Sequence, residues 1–451
     1  MKTDSPHILC INPWIHDFAA FDFWAKPLGL LSIAAILREK GLKVSFIDCL
    51  DRFHPKESKK IKVLWDGRGP FRKIEINLPK GLENIDKKFS RYGIKPQWLA
   101  ADLKKIKKPD LIFVTSLMTY WASGVKETIE MVKAAYPDVP VVLGGIYASL
   151  CYAHANKDTL ADLVIKGPGE HHLKKIIKKF TGFELDGSNL SDLPDAYGDL
   201  DALPFPALDL QNKIAYAPIL TSRGCPFSCE YCASSYLEPE IRRRSPENVF
   251  REIEHWYQNY GVKNFAFYDD ALLVNARQYA FVLFEKIIAS KMDVWFHTPN
   301  ALHIKEITTQ AADLMFRAGF KTIRLGLETT DFSGTRNHDG KVAENEFYMA
   351  IENLKVAGFE KKQLGAYLLC GLPGQNIDEV EISMHLVKQT GVQPVLAYYT
   401  PIPHTPMWES AVKHSKFDLL EHPVFTNNTL FPCVNSEIDL KHISQLKNLW
   451  I

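Results

Sequence analysis

Three cysteines, Cys225, Cys229 and Cys232, stand in the run Thr221-Ser-Arg-Gly-Cys225-Pro-Phe-Ser-Cys229-Glu-Tyr231-Cys232. Three thiolates within eight residues can hold three irons of a four-iron, four-sulfur cluster and leave the fourth iron without a protein ligand. A structural zinc site takes four ligands in paired C-x-x-C sets, and no second pair accompanies this one. An iron with an open position binds a substrate or a cofactor, so the triad points to chemistry and not only to electron storage.

A cluster of this kind needs a rigid frame, and the flanking pattern supplies one. The triad follows the apolar strand Ala217–Thr221, and strands are then expected at Asn264–Tyr268, Val294–His297, Thr322–Leu327, Leu364–Leu369 and Val395–Tyr399. Helices fit Pro246–Tyr260, Arg277–Ser290, Ile304–Arg317, Ala343–Ala357 and Ile377–Thr390. Ser245-Pro246 is an N-cap and first-turn pair, and Asn376 with Glu379 forms a capping box. Six βα repeats are too few for a closed eight-stranded barrel and enough for a partial (β/α)6 TIM-type barrel.

Chemistry on such a scaffold gathers at the C-terminal ends of the strands. Those ends read Tyr268-Asp269-Asp270, His297-Thr298-Pro299-Asn300, Gly326-Leu327-Glu328-Thr329, Cys370-Gly371-Leu372-Pro373-Gly374 and Tyr398-Tyr399-Thr400-Pro401-Ile402-Pro403. Structural roles fit several of them. Asp269 and Asp270 could cap a helix, Glu328 could pair with Arg324, and Gly371 and Gly374 could serve a tight turn. His297 and His303 read as supporting residues, and Cys370 as a buried, inert thiol.

Ahead of the barrel, residues 1–180 alternate short apolar strands with amphipathic helices. Strands fit His7–Asn12, Lys43–Cys49, Asp110–Ser116, Val139–Leu143 and Leu163–Lys166, with helices over Pro27–Gly41 and Ser123–Ala135. This rhythm implies an α/β fold with a flavodoxin-like, doubly wound parallel sheet. Residues 51–108 are polar and carry no readable period. A Pro- and Asp-rich linker spans 181–215, the barrel 216–410, and a C-terminal tail 411–451.

The composition is that of an ordinary globular chain of 451 residues, long enough for about two or three domains. A net charge of +1 argues against nucleic acid as a partner. No signal peptide opens the chain and no apolar run of about 18 residues follows, so no transmembrane segment is expected. Eight cysteines without a secretory signal fit a reducing, cytoplasmic setting.

The C-x-x-x-C-x-aromatic-C spacing, and the order of motifs from about 216 to 410, resemble a radical S-adenosylmethionine (SAM) domain. The resemblance implies that Cys225, Cys229 and Cys232 ligate a 4Fe-4S cluster and that SAM binds the open iron. Reductive cleavage of SAM would then give a 5′-deoxyadenosyl radical. Carried over by position, the backbone at Tyr231 meets the adenine and Tyr268, Asp269 and Asp270 occupy the place that binds the SAM amino group. Glu328 contacts the ribose or amino end, and Gly371 and Gly374 line the adenine. Tyr-Asp-Asp replaces the frequent Gly-Gly-Glu of that family.

A flavodoxin-like domain fused ahead of such a barrel resembles the cobalamin-dependent radical SAM enzymes. Ser116, Leu117, Gly144, Gly145, Ile146 and Gly167 are similar to residues lining cobalamin in that fold. The Asp-x-His-x-x-Gly motif of domains that ligate cobalt through histidine is absent, and His16-Asp17 is in the wrong order for it. The implied activity is methyl transfer to an unactivated carbon of a small-molecule, lipid or peptide substrate, with flavodoxin or ferredoxin as reductant. The rivals are a radical rearrangement, cyclisation or oxidation without methyl transfer, and an iron–sulfur electron-transfer or binding protein.

Overall fold

The computed structural model describes residues 5–58, 61–185, 199–332 and 342–448. Its contacts divide the chain at Ala215/Tyr216, with the short segment His422–Val424 counted in the first unit.

In the first unit, five parallel strands run in the order β3-β1-β6-β7-β8. They are β1 (His7–Asn12), β3 (Lys43–Asp48), β6 (Leu111–Val114), β7 (Val141–Leu143) and β8 (Leu163–Val164). This is the flavodoxin order, with its switch point between β1 and β6. Alternate residues on these strands feed two cores, as a sheet covered on both faces requires. Leu9, Ile11, Ile112, Val114, Val141 and Leu143 pack with α2 (Pro96–Lys105) and α3 (Ala122–Ala135). Ile8, Cys10, Leu111, Phe113 and Val142 pack with α1 (Leu28–Glu39) and α6 (Leu173–Thr181). Two short helices, α4 (Ile146–Leu150) and α5 (Tyr152–Asp158), follow β7.

Two expectations need correction here. The polar region 51–108 contributes to a small antiparallel sheet in which β5 (Ser90–Tyr92) pairs with both β2 (Ile15–Asp17) and β4 (Lys73–Glu75). Strands of three residues carry no readable alternation. The stretch read as a linker is docked where it is described. Ala207 is buried in the core beneath α1, its N–H donates to Leu31 O at 3.0 Å, and Asp209 pairs with Arg38 at 2.7 Å. Residues 186–198 of that linker lie outside the described residues.

In the second unit, six parallel strands run β16-β15-β14-β13-β12-β9. They are β9 (Ala217–Ile219), β12 (Asn264–Phe267), β13 (Trp295–His297), β14 (Phe320–Glu328), β15 (Leu364–Cys370) and β16 (Gln393–Tyr398). Spatial order equal to chain order is the partial-barrel topology, and the edge strands β9 and β16 do not pair. Between the strands lie α8 (Pro246–Tyr260), α9 (Ala280–Ser290), α10 (Thr309–Ala318), α11 (Glu344–Val356) and α12 (Ile377–Gln389). The Phe rings of β12, β13 and β14 face the helices, where Phe284 of α9 packs 5.0 Å from Phe320.

Ser245 caps α8 by accepting the Asn248 N–H at 3.1 Å. Asn376 caps α12 alone, by accepting from Asp378 N, and the expected reciprocal bond from Glu379 is not what holds this end. The helix expected from Ile304 starts instead at Thr309, because the Thr308 side chain accepts the Ala311 N–H. The tail beyond the barrel forms α13 (Trp408–His414) and α14 (Glu437–Asn448), and His442 lies 2.8 Å from Glu381 of α12.

Candidate active site

The cysteine loop leaves the C-terminal end of β9 and is closed at its base. β10 (Ser222–Arg223) pairs antiparallel with β11 (Arg242–Arg243), so residues 224–241 form a loop held by a two-strand clasp. Gly224 opens it at φ +82, and a Cβ there would stand 2.5 Å from Glu240 O, so only glycine fits.

Asp269 fixes this clasp. Its carboxylate, 3% exposed, accepts from Thr221 N, from Thr221 Oγ1 at 2.6 Å and from Ser222 Oγ at 2.8 Å. The expectation of a helix cap is corrected by this arrangement. The side chain is a strut that ties the end of β12 to the root of the loop, and its acceptor capacity is spent there.

Asp270 turns the other way. It accepts from Ser234 Oγ at 2.9 Å, and Ser234 Oγ lies 3.2 Å from Cys232 Sγ. Ser234 begins α7 (Ser234–Leu237), and its N–H also points at that sulfur, at 3.5 Å. Burial pushes the Cys225 thiol up, as do the Asp270 carboxylate and the thiols of Cys229 and Cys232, while the Phe227 N–H acts in the opposite sense. A cationic iron centre at Cys225 would relieve that penalty.

Two ring stacks steady the loop from neighbouring strand ends. His303 stacks on Phe227 at 4.2 Å, with Lys305 Nζ 4.6 Å from the same ring. His404, held at φ +68, stacks nearly parallel on Tyr236 at 4.3 Å. Met407 N donates to Glu230 O at 3.0 Å, beside Tyr231.

The other strand ends are similarly tied. Tyr268 N donates to Ile219 O, and Asn300 Nδ2 donates to Tyr268 O at 2.7 Å. His297 is fully buried with Nδ1 3.1 Å from Thr322 Oγ1 and Nε2 3.0 Å from Asn264 Oδ1, so both nitrogens are engaged within the barrel. At β14 the register slips between Gly326 and Glu328, and Glu328 adopts φ +67, a left-handed conformation rare outside glycine. Gly371 (φ +92) and Gly374 (φ +73) bracket a turn that Gln375 braces, accepting from Gly371 N at 2.7 Å and donating to Leu369 O at 2.9 Å. Burial pushes the Cys370 thiol up to about 12, so it stays protonated and inert.

Sequence reading missed Ser234 and Gln375, and quoted Asn300 at its strand end without a role. Each acts through a side-chain bond to the backbone or beside a thiol, and only Ser234, two residues past the cysteine motif, could have been flagged.

In the first unit, the strand-end residues singled out from sequence are knitted together. Ser116 Oγ donates to Gly144 O at 2.7 Å and accepts from Ala148 N, so its hydroxyl shapes the turn. Gly145 has φ +98, and a Cβ would lie 2.2 Å from Ser116 O. Ser149 Oγ, unforeseen, donates to Gly145 O and accepts from Gly167 N at 3.0 Å. Leu117 is partly exposed beside them, and Met118 and Ile146 are exposed apolar side chains at the same edge. His16 is buried, with Nδ1 3.2 Å from Ser123 Oγ and Nε2 2.9 Å from Glu127, so it does not serve this edge.

Two family models match within this frame: the Radical SAM superfamily over residues 219–387 and the B12 binding domain over residues 92–177. The chain belongs to the cobalamin-binding radical SAM family. Its cofactors are a 4Fe-4S cluster, SAM and cobalamin. The donor set fits them: three thiols on one clasped loop, glycine turns at the barrel mouth, and a small-residue edge flanked by Met118 and Ile146.

An uncharacterized methyltransferase of Pyrococcus horikoshii is 23% identical, covering 72% of this chain and 74% of its own. The cytidylyl-2-hydroxyethylphosphonate methyltransferase of Streptomyces wedmorensis is 22% identical, covering 85% and 77%. Among solved structures, the radical SAM methyltransferase TsrM of Kitasatospora setae, with cobalamin and a [4Fe-4S] cluster bound, superposes with TM-score 0.64 at 16% identity, covering 91% of this chain and 79% of that one. That likeness establishes the fold. No helix among the described residues is long and apolar enough to cross a membrane.

Proposed function

We propose that this radical SAM enzyme transfers a methyl group to an unactivated carbon of a small-molecule substrate, with electrons supplied by a flavodoxin or ferredoxin. The observation that carries the reading is the presence, in one chain and in this order, of a B12-binding sheet and a radical SAM barrel. The names of both relatives, as methyltransferases, support methyl transfer.

The cofactors supply a carbon-centred radical and a transferable methyl group; the protein positions and shields them. Cys225, Cys229 and Cys232 hold three irons, and Ser234 orients Cys232 while Asp270 orients Ser234. Asp269 sets the root of the loop, so that its three ligands arrive together. Glu328 holds the polar end of SAM, and the Tyr231 backbone and the Gly371–Gly374 turn flank the adenine. Tyr268, whose carbonyl is braced by Asn300, borders the amino end. Gly167, where a Cβ would meet nothing within 4 Å, leaves space for the cobalamin tail beside the turns built on Ser116, Gly144 and Gly145, and Leu117, Met118 and Ile146 give the corrin an apolar edge.

The test uses protein made with cobalamin supplied, purified anaerobically with its cluster. Corrin absorbance at about one equivalent per chain is expected, and label from methyl-labelled SAM should appear on the corrin with release of S-adenosylhomocysteine. A preparation carrying the cluster but no corrin refutes the two-cofactor reading. Deoxyadenosine formation with the methyl label confined to SAM and methionine refutes methyl transfer and favours the rearrangement.

A further inference from the structure

One cluster of potential metal ligands stands apart from all of these residues. His154 and Asp158 lie one turn apart on α5, where side chains four positions apart share a face. His422 comes from the segment counted in the same unit. One ligand atom from each lies within 4.8 Å of the others. The two imidazole centroids are 4.7 Å apart with the rings at 84°. Two imidazoles bound to one ion through bonds of about 2.0–2.1 Å, at a tetrahedral angle, place their centroids roughly 5 Å apart.

We propose that His154, Asp158 and His422 form a divalent-cation site of the zinc type, with solvent completing the coordination. Two imidazoles and one carboxylate suit zinc better than magnesium or calcium, which take oxygen ligands throughout. An outer partner fixes the first imidazole. The hydroxyl of Tyr147, a fully buried residue, lies 2.7 Å from His154 Nδ1, which directs Nε2 to the ion.

Two features limit the affinity. Lys126 Nζ lies 3.1 Å from Asp158 Oδ1, which leaves the second carboxylate oxygen to the ion and places a positive charge nearby. Val424 N donates to His422 Nδ1 at 3.0 Å. Loading through Nε2 moves the ring proton to Nδ1 and gives up that bond. The site is therefore expected to bind zinc in the micromolar range.

The site shares no residue with the cysteine loop or with the turns of Ser116–Gly167, so its role is to fasten the segment His422–Val424 to α5. The test is zinc content. Cluster-loaded protein is incubated anaerobically with about 50 µM zinc chloride, gel-filtered and analysed for metal. A C225A/C229A/C232A variant controls for zinc on vacated cysteines. One zinc per chain is expected in both proteins, with at least tenfold weaker binding in Asp158→Asn and in His422→Ala.

Zinc should raise the unfolding temperature of the wild type and leave that of His422→Ala unchanged. This second reading holds even if His154→Ala disturbs Tyr147 and fails to fold. No zinc in the wild type overturns the proposal, as does full occupancy in His422→Ala.

Discussion

Glu328 joins a proposed SAM contact to a conformational cost, and the two can be separated by substitution. The residue sits at φ +67 immediately after the register slip in β14, and Gly326 beside it is closely packed by Ala301 and the Glu328 carboxylate. A non-glycine residue in the left-handed region costs about 1–2 kcal/mol. Glycine removes that cost but adds back about 0.5–1 kcal/mol of unfolded-state entropy. Glu328→Gly should therefore be more stable than Glu328→Ala by roughly 0.5–1 kcal/mol, the reverse of the usual order in a strand. For a unit of this size that is a difference of about 1–4 °C in unfolding temperature. Both variants lose the carboxylate, and losing a charged hydrogen bond of about 1.5–3 kcal/mol weakens SAM binding by roughly 10- to 150-fold. The assay pairs thermal unfolding of the two variants with equilibrium dialysis of SAM on cluster-loaded protein. If Glu328→Gly unfolds at or below Glu328→Ala, the strain argument fails. If both bind SAM as the wild type does, the assignment of Glu328 fails.

Three more outcomes follow from the geometry. Ser234→Ala removes a hydroxyl oxygen 3.2 Å from Cys232 Sγ whose one proton is given to Asp270, so a lone pair facing the sulfur is lost and the cluster midpoint, read by potentiometric titration, should rise by roughly 20–60 mV. Gly145→Ala drives a methyl to 2.2 Å from Ser116 O at a left-handed φ, so thermal unfolding should show a loss of about 3 kcal/mol or more and corrin should no longer co-purify. Burial alone would push the Glu127 carboxyl up, but bonds from His16 and Arg91 outweigh it and hold it below its ordinary 4.5. A depressed carboxyl adds stability above that value and loses it as the pH falls through the folded-state value, so denaturant unfolding should show Glu127→Gln weaker than wild type at neutral pH and the gap closing below about 4.5.

The sequence made the sheet of each unit legible because long apolar strands alternate with capped helices. His7–Asn12 and Pro246–Tyr260 match their expected bounds. What escaped was built from short or distant pieces. The clasp of β10 and β11 has two residues per strand, and no period can be read from two residues. Asp269 and Asp270 are neighbours of the same type with opposite duties, and only the partners Thr221 and Ser234, far off in the chain, tell them apart. Gln375 carries no pattern of its own, yet its amide ties the glycine turn back to the end of β15, at Gly371 N and Leu369 O. The cysteine motif itself was plain, because its spacing is local.

The strand that launches the cysteine loop is three residues long and has a neighbour on one side only, β12. During synthesis β9 and the cysteines leave the ribosome before β12 exists, and with it before Asp269. Until then the root of the loop has its β10–β11 clasp but not the carboxylate that ties it to β12. In a zinc finger the metal nucleates the fold; here the carboxylate that poses the thiols arrives with a later strand. Cluster insertion is therefore expected to follow folding of the barrel, as a delivery to a folded apoprotein rather than a step in folding.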